Sequence, residues 1–205
     1  MTISLSDAGK RYNRDWIFRH FNYNFETGES YAITGPNGSG KSTLLQVLSG
    51  ALMLNEGKIQ FTVSSGQLAI DNIYQHVSIC APYLEVVEEM TVKELLDFHH
   101  GFKPFYSGYT SEAIIDKVGL SSAIHKQIRF YSSGMKQRVK LAQAIFSDTP
   151  ILLLDEPCTN LDAEGVALYH ALIKDHSQNR ILIVSSNDEV EYQFCRKRIN
   201  ILEYK

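Results

Sequence analysis

The sequence predicts an α/β fold with a small antiparallel β part and an inserted helical part, on three observations. The run Gly35-Pro36-Asn37-Gly38-Ser39-Gly40-Lys41-Ser42-Thr43 fits the pattern G-x-x-x-x-G-K-[ST] between a β-prone run, Tyr31 to Thr34, and a helical one, Thr43 to Gly50. Ile151-Leu152-Leu153-Leu154 then reads as a strand buried on both faces that ends in two acids, Asp155-Glu156. Between these two motifs, from about residue 83 to 147, the patterning turns helical, and residues 1–30 read as short antiparallel strands.

Taken in order, Ile3-Ser4-Leu5, Trp16-Ile17-Phe18 and Phe21 to Phe25 are expected as strands, the last from alternating Phe21, Tyr23 and Phe25. Tyr12 and Trp16 lie among them; each ring is flat enough to stack on adenine, or simply covers the small sheet. Thr27-Gly28-Glu29 turns the chain into the strand before the glycine loop. Asn55-Glu56-Gly57 is a further turn, followed by strands at Lys58 to Val63 and at His76 to Ala81, the latter stopping at Pro82. Thr91-x-x-Glu94 is a capping box that opens a helix over Val92 to His99. Residues 101–109, with two glycines and a proline, form a loop, and a helix over about 111–118 closes at Gly119. Ser132 or Ser133 is the natural N-cap of a long helix with apolar residues at Met135, Val139, Ala142, Ile145 and Phe146. Ile181 to Ser186 supplies another strand. Residues 1–82 and 148–205 are thus expected to form the core, and 83–147 the helical part, of one domain.

The chemistry follows from residue types. Glycines at 35, 38 and 40 let successive backbone N–H groups turn inward as a nest for an anion, and the helix that follows points its positive end at the same place. Lys41 adds a full charge near the β and γ phosphates of a nucleotide. Ser42 offers a hydroxyl to Mg²⁺, which favours oxygen ligands, and Asp155 is placed to hold the same ion, directly or through water. Glu156 stands one residue on, where it can polarise a water for in-line attack on the γ-phosphate. The start of the helix at Ser132 is a second anion-binding terminus.

Composition excludes several alternatives. With 205 residues, 44% hydrophobic and 21% charged, the chain suits one ordinary globular domain. A formal charge of −3 argues against a nucleic-acid partner, and Arg196-Lys197-Arg198 reads as a solvated face. No run approaches the roughly 18–20 apolar residues of a membrane span, and Met1 to Asp7 lacks the regions of a signal peptide. The sequence therefore predicts a cytosolic protein. Cys80, Cys158 and Cys195 form no C-x-x-C and read as small buried hydrophobes, and nothing near His99-His100 completes a metal cluster.

In the order and spacing of these motifs the chain resembles the ATP-binding subunits of the ABC superfamily over nearly all its length, and most of all short single-module subunits of haem-exporter-like and ABC-2-type transporters. Tyr12 resembles the aromatic that stacks on adenine, residues 35–43 the Walker A loop, and residues 151–156 Walker B. Tyr131-Ser132-Ser133-Gly134-Met135 stands where the signature L-S-G-G-Q belongs, and Thr159-Asn160-Leu161-Asp162 resembles the D-loop. The resemblance implies a P-loop NTPase fold with a RecA-like core. It also implies ATP and Mg²⁺ as cofactors, hydrolysis of ATP, and a head-to-tail dimer of two copies. In that dimer Ser132 to Met135 of one copy cover the nucleotide on the other, and Asp162 relays between the two sites. A separate integral membrane permease would hold the pair on the cytoplasmic face, with export the favoured direction.

Three departures qualify that picture. The signature is degenerate, with Met135 in place of its Gln and Ser133 of its third residue. Counting back from Thr91, the family's Q-loop glutamine falls on Pro82, or on Tyr83 with a slip of one. The switch histidine is replaced by Asn187, which donates a hydrogen bond but carries no charge. Losing one preorganised polar contact at a reacting centre costs roughly 10²-fold in rate, so slow, Glu156-dependent hydrolysis is expected. The alternative is a nucleotide-gated regulatory or assembly clamp with little turnover; a soluble relative in translation or DNA repair would need a second cassette or coiled-coil arms. Glu85, Glu88 and Glu89, beside the missing glutamine, predict a permease helix rich in basic residues.

Overall fold

The structure, a computed structural model, describes residues 1–64 and 66–205. Two long strands open the chain, β1 (Thr2–Tyr12) and β2 (Asp15–Glu26), where the alternation suggested three short ones. The difference has a local cause. Asp7 and His20 both take positive φ, 48° and 53°, and the pairing slips in register between Leu5 and Lys10. Side chains stabilise this irregularity: Asn22 Oδ1 accepts from the Asp7 N–H at 2.8 Å, and His20 Nδ1 lies 2.6 Å from Asp7 Oδ1. The bulge shifts the apolar alternation out of phase and breaks the sequence pattern without ending the strand.

Strand β3 (Ser30–Thr34) leads into the glycine loop and helix α1 (Lys41–Leu48), followed by β4 (Glu56–Val63), β5 (Gly66–Leu68) and β6 (Val77–Cys80). Helices α2 (Val92–His100), α3 (Ser111–Lys117) and α4 (Ser133–Phe146) come next. The sheet resumes with β7 (Ile151–Asp155), α5 (Ala163–His176), β8 (Ile181–Ser185), the short α6 (Glu189–Tyr192) and β9 (Lys197–Asn200). The antiparallel sheet has the order β2-β1-β4-β5 and the parallel sheet the order β6-β7-β8-β3-β9.

Thr91 caps α2 through the full box, with Glu94 accepting from the Thr91 N–H at 2.8 Å, and Ser132 caps α4. The solvated face expected at Arg196 to Arg198 runs into the edge strand β9, with Arg196 and Arg198 exposed; Arg198 pairs with Glu189 at 2.6 Å and Lys197 with Glu29 at 3.9 Å.

The four-residue apolar run of β7 serves two cores at once. Ile151 and Leu153 face α1 and the antiparallel sheet, among Leu44, Leu48, Phe21 and Phe61, while Leu152 and Leu154 face α4 and α5, among Val139, Ile145 and Leu172. Burial on both faces fixes the register, because a slip of one residue exchanges the two faces. In-register pairing then sets Cys80 beside Leu154 and Asp155 beside Ser185, with Ile33 on the other side of Ser185. The carboxyl ends of four parallel strands converge there, which is where open α/β sheets place their ligands.

Candidate functional site

Residues 35–43 fold as a loop curled over the start of α1. Gly40 sits at φ 109°, and a Cβ there would lie 2.3 Å from Ile17 Cγ2, so the close packing of β2 under the loop requires glycine. Lys41 is only 4% exposed, and its Nζ donates to the carbonyls of Gly35 at 2.9 Å and Pro36 at 3.3 Å. The ammonium therefore lies under the loop, its stem packed in the protein and its charge directed at the loop interior. A cleft of about 200 Å³ is lined by Ile17, by Asn37 through Thr43, and by Glu156. Ser42 and Thr43 lie in this lining. An adjoining hollow of about 320 Å³ shares Asn37 and Glu156 with the first and adds Asn187. The structure thus brings Lys41, Ser42, Glu156 and Asn187 around one opening, and Asn187 Nδ2 donates to Asn37 Oδ1 at 3.3 Å.

Asp155, at the end of β7, is 2% exposed, and among the described residues nothing pairs with its buried Oδ1. The hydroxyls of Ser39 and Ser185 are buried without partners as well. A buried carboxylate with no cation is costly. The donor set is all oxygen, which suits a hard divalent cation rather than a soft one. Among the described residues no group of three His, Cys, Asp or Glu is arranged to hold a metal by itself. Ser39 belongs to the loop the sequence singled out, whereas Ser185 escapes sequence reasoning because its hydroxyl acquires meaning only when the strand ends are brought together.

Glu156 has φ 44°, left-handed for a residue with a side chain, and its N–H donates to Ser185 O at 2.9 Å. Such backbone is costly unless the surroundings impose it. The following turn carries the expected D-loop, where Asp162 Oδ1 accepts from the Gly165 N–H at 2.8 Å and lies 3.6 Å from Arg138 of α4. Asp162 is therefore the N-cap of α5, a local duty besides the relay expected of it.

Three expectations receive a different setting. Both positions for the missing glutamine, Pro82 and Tyr83, are exposed, and Tyr83 turns its hydroxyl towards Gln46 of α1 within range of the Asp155 charge. Burial raises the Tyr83 pKa, and its hydrogen bond with Gln46 opposes the rise. Trp16 is flanked by the guanidinium groups of Arg19 and Arg11, 4.5 and 5.4 Å from the ring centre, and its edge packs on Gly9, so it covers the sheet. Tyr12 remains 47% exposed, with Lys10 Nζ 5.5 Å from its ring centre. The acidic trio is largely neutralised: Glu88 pairs with Lys136, and Glu89 with Arg129 at 3.8 Å.

Ser132 and Ser133 are exposed at the start of α4, and the Met135 side chain packs against the helical core. A Cβ on Gly134 would lie 2.9 Å from Asn160 O, so this glycine allows the signature turn and the D-loop to touch. None of Ser132 to Met135 lines the phosphate cleft of its own chain. A larger hollow, about 770 Å³, lies at the other ends of the strands around Ser30, Lys174 and Arg196, away from these groups.

Comparison with known proteins points the same way. A family profile described as "ABC transporter" matches residues 18–159. The chain is 32% identical over 187 residues to the uncharacterised ABC transporter ATP-binding protein YybJ of Bacillus subtilis, covering 90% of this chain and 85% of that protein. It is 31% identical over 196 residues to the cytochrome c biogenesis ATP-binding export protein CcmA of Rhizobium meliloti, covering 92% of each. In fold it is similar to a dimeric bacterial ABC transporter cassette, with a TM-score of 0.82 at 20% identity over 97% of this chain and 94% of that one.

Proposed function

The chain belongs to the ABC transporter family, and we propose that Lys41, Asp155, Glu156 and Asn187 perform the ATP hydrolysis by which it drives transport. It is an ATP-binding, ATP-hydrolysing subunit of the exporter type. The observation that carries the residue assignment is that Glu156 faces the glycine loop across a cleft floored by the buried Lys41.

In this reading the loop amides and Lys41 hold the β and γ phosphates and spread their charge. Glu156 takes the proton of the attacking water as its oxygen bonds to the γ-phosphorus, and ADP leaves in line. Asn187, tied to the loop through Asn37, donates to a γ-phosphate oxygen. Ser42 and Asp155 would hold Mg²⁺, which neutralises phosphate charge when bound. Tyr12, exposed at the end of β1, is placed to cover the adenine. Tyr83 and Asn187 lack the amide and the imidazole that the family places there, which makes turnover slow and keeps the clamp-like reading in view. The test is Glu156→Gln. Turnover is expected to fall at least about 10²-fold while ATP still binds; turnover equal to wild type overturns the assignment.

Two partners complete the reading. A second copy, head to tail, brings its exposed Ser132 and Ser133 and the half-buried Gly134 over the nucleotide, which supplies an anion-binding helix start that the cleft lacks on its own. A separate membrane permease docks on the face between β6 and α2. Because Glu88 and Glu89 are already paired, that face is mainly apolar, with Leu84, Val87, Phe98 and Phe102 exposed around a groove that includes Glu85. It suits an amphipathic helix better than a uniformly basic one. No helix among the described residues is long and apolar enough to cross a membrane, so the permease is taken to be a different chain.

A further inference from the structure

One peptide group, between Pro157 and Cys158, is held from both sides by buried side chains of two other elements. Gln137 of α4 donates from Nε2 to Pro157 O at 2.7 Å, and the Cys158 N–H donates to Glu191 Oε1 of α6 at 2.6 Å. Gln137 is 2% exposed and Glu191 5%. Both residues make a further contact. Gln137 Nε2 also approaches Cys80 Sγ, at the end of β6, at 3.7 Å, and the Glu191 backbone carbonyl accepts from the Tyr169 hydroxyl at 2.8 Å.

We infer that Gln137 and Glu191 are positioning residues that together fix the aim of Glu156. The clamped peptide begins one residue after Glu156, whose left-handed backbone is secured on its other side by Ser185 O. The turn cannot rotate without breaking a buried bond at one of these three points. The clamp joins three other parts of the fold: α4, capped by Ser132; the strand end that precedes Tyr83; and the segment 185–191, which carries Asn187. A shift of α4 when a second copy closes on Ser132, or of segment 81–83 when a partner docks, reaches Glu156 through this one peptide. Gln137 supplies a donor and Glu191 an acceptor, and the peptide offers the complementary groups in fixed opposition. The Gln137 bond is buried and the Glu191 bond part-buried, so losing either partner leaves a peptide group that water serves less well than the side chain did.

This inference rests on Glu156 acting as the base, and the experiment separates the two. ATP turnover of the full chain is measured for Q137M, which keeps volume but has no donor, for E191A, and for E191Q, whose amide oxygen still accepts the Cys158 N–H. Q137M and E191A are expected to lower kcat about 10- to 100-fold with the KM for ATP within about twofold. E191Q is expected to restore most of kcat. In an E156Q background E191A should cause no further loss, since a positioning residue has nothing left to position. Amide exchange at Cys158 should be about tenfold or more faster in E191A than in wild type, a readout independent of turnover. Wild-type kcat in both Q137M and E191A, a matching rise in KM, an equal further loss in the E156Q background, or unchanged exchange at Cys158 overturns the clamp. E156Q at full turnover would instead overturn the role of Glu156 itself.

Discussion

The glycine loop and the Glu156 turn face each other across one cleft, yet they are held by opposite means. The loop is closed by its own neighbours: Lys41 reaches Gly35 and Pro36, and the Ser39 N–H donates to Pro36 O at 3.1 Å. The turn is held from a distance, by Gln137, Ser185 and Glu191, twenty or more residues away along the chain. On the proposed roles, a site half built in this way combines a fixed anion cradle with a base whose aim depends on three other elements. Binding then belongs to the loop, and commitment to hydrolysis to the packing around the turn.

The contrast predicts that damage to the loop is the more severe. Lys41→Ala removes the only side-chain cation in the lining of the phosphate cleft described here. Turnover should fall about 10²- to 10³-fold, with ATP affinity lost in parallel. Changes at the turn should spare affinity. Equilibrium binding of ATP to the Lys41→Ala chain and to E191A checks this split, and equal affinities would erase the distinction.

The same contrast explains what the sequence made legible. Nine consecutive residues announce the loop because the glycines and the lysine that shape it stand together in the chain, although the packing of Ile17 under Gly40 could not be read there. The strand Ile151 to Leu154 was equally plain, since burial on both faces leaves no polar position. Gln137 and Glu191 gave no signal: one looks like a polar residue on an amphipathic helix, the other like one of several acids after a strand. Only the packed register shows that both meet the peptide after Glu156. The long β1 and β2 strands were hidden for a related reason, because the bulge around Asp7 and His20 breaks the alternation that a strand normally displays. The glutamates illustrate the reverse case: of three adjacent charges read as an acidic patch, Glu88 and Glu89 have basic partners, Lys136 and Arg129, brought from elsewhere in the fold.

A third region sharpens the comparison, because the partner proposed for it is another chain. Phe98 and Phe102 stack edge to face at 5.0 Å, with 54% and 73% of their surface exposed. Replacing both by alanine should weaken association with the permease by about tenfold or more, since apolar anchors dominate such docking. Basal turnover should stay within about twofold. Reversing Glu88 should do less to docking than the phenylalanine pair, because it first breaks the pair with Lys136. Copurification with the membrane subunit measures both, and a larger effect from Glu88 would restore the acidic reading of this face.

The smallest expected effect distinguishes the halves by pH. His99, in α2 beneath the same groove, lies 2.8 Å from Ser147 Oγ through Nε2, and its pKa is lowered to about 4 by burial first and by the Lys103 ammonium second. In the unfolded chain the imidazole takes a proton near pH 6.5, whereas in the fold it resists down to about pH 4. Between these values the unfolded state binds more protons. The contribution is therefore whole above about pH 6.5 and is lost as the pH falls towards 4, at a cost on the order of 1–3 kcal/mol. His176 is shifted the same way, also by burial, at the junction of α5 with the helical core. His99→Gln should therefore flatten, without abolishing, the drop in melting temperature between pH 7 and pH 5. A mutant whose melting temperature falls as steeply as that of wild type would show that acid acts elsewhere. If the two halves respond separately, amide exchange at pH 5 should rise first in α2 and α4, while α1, which contains no histidine, holds its protection.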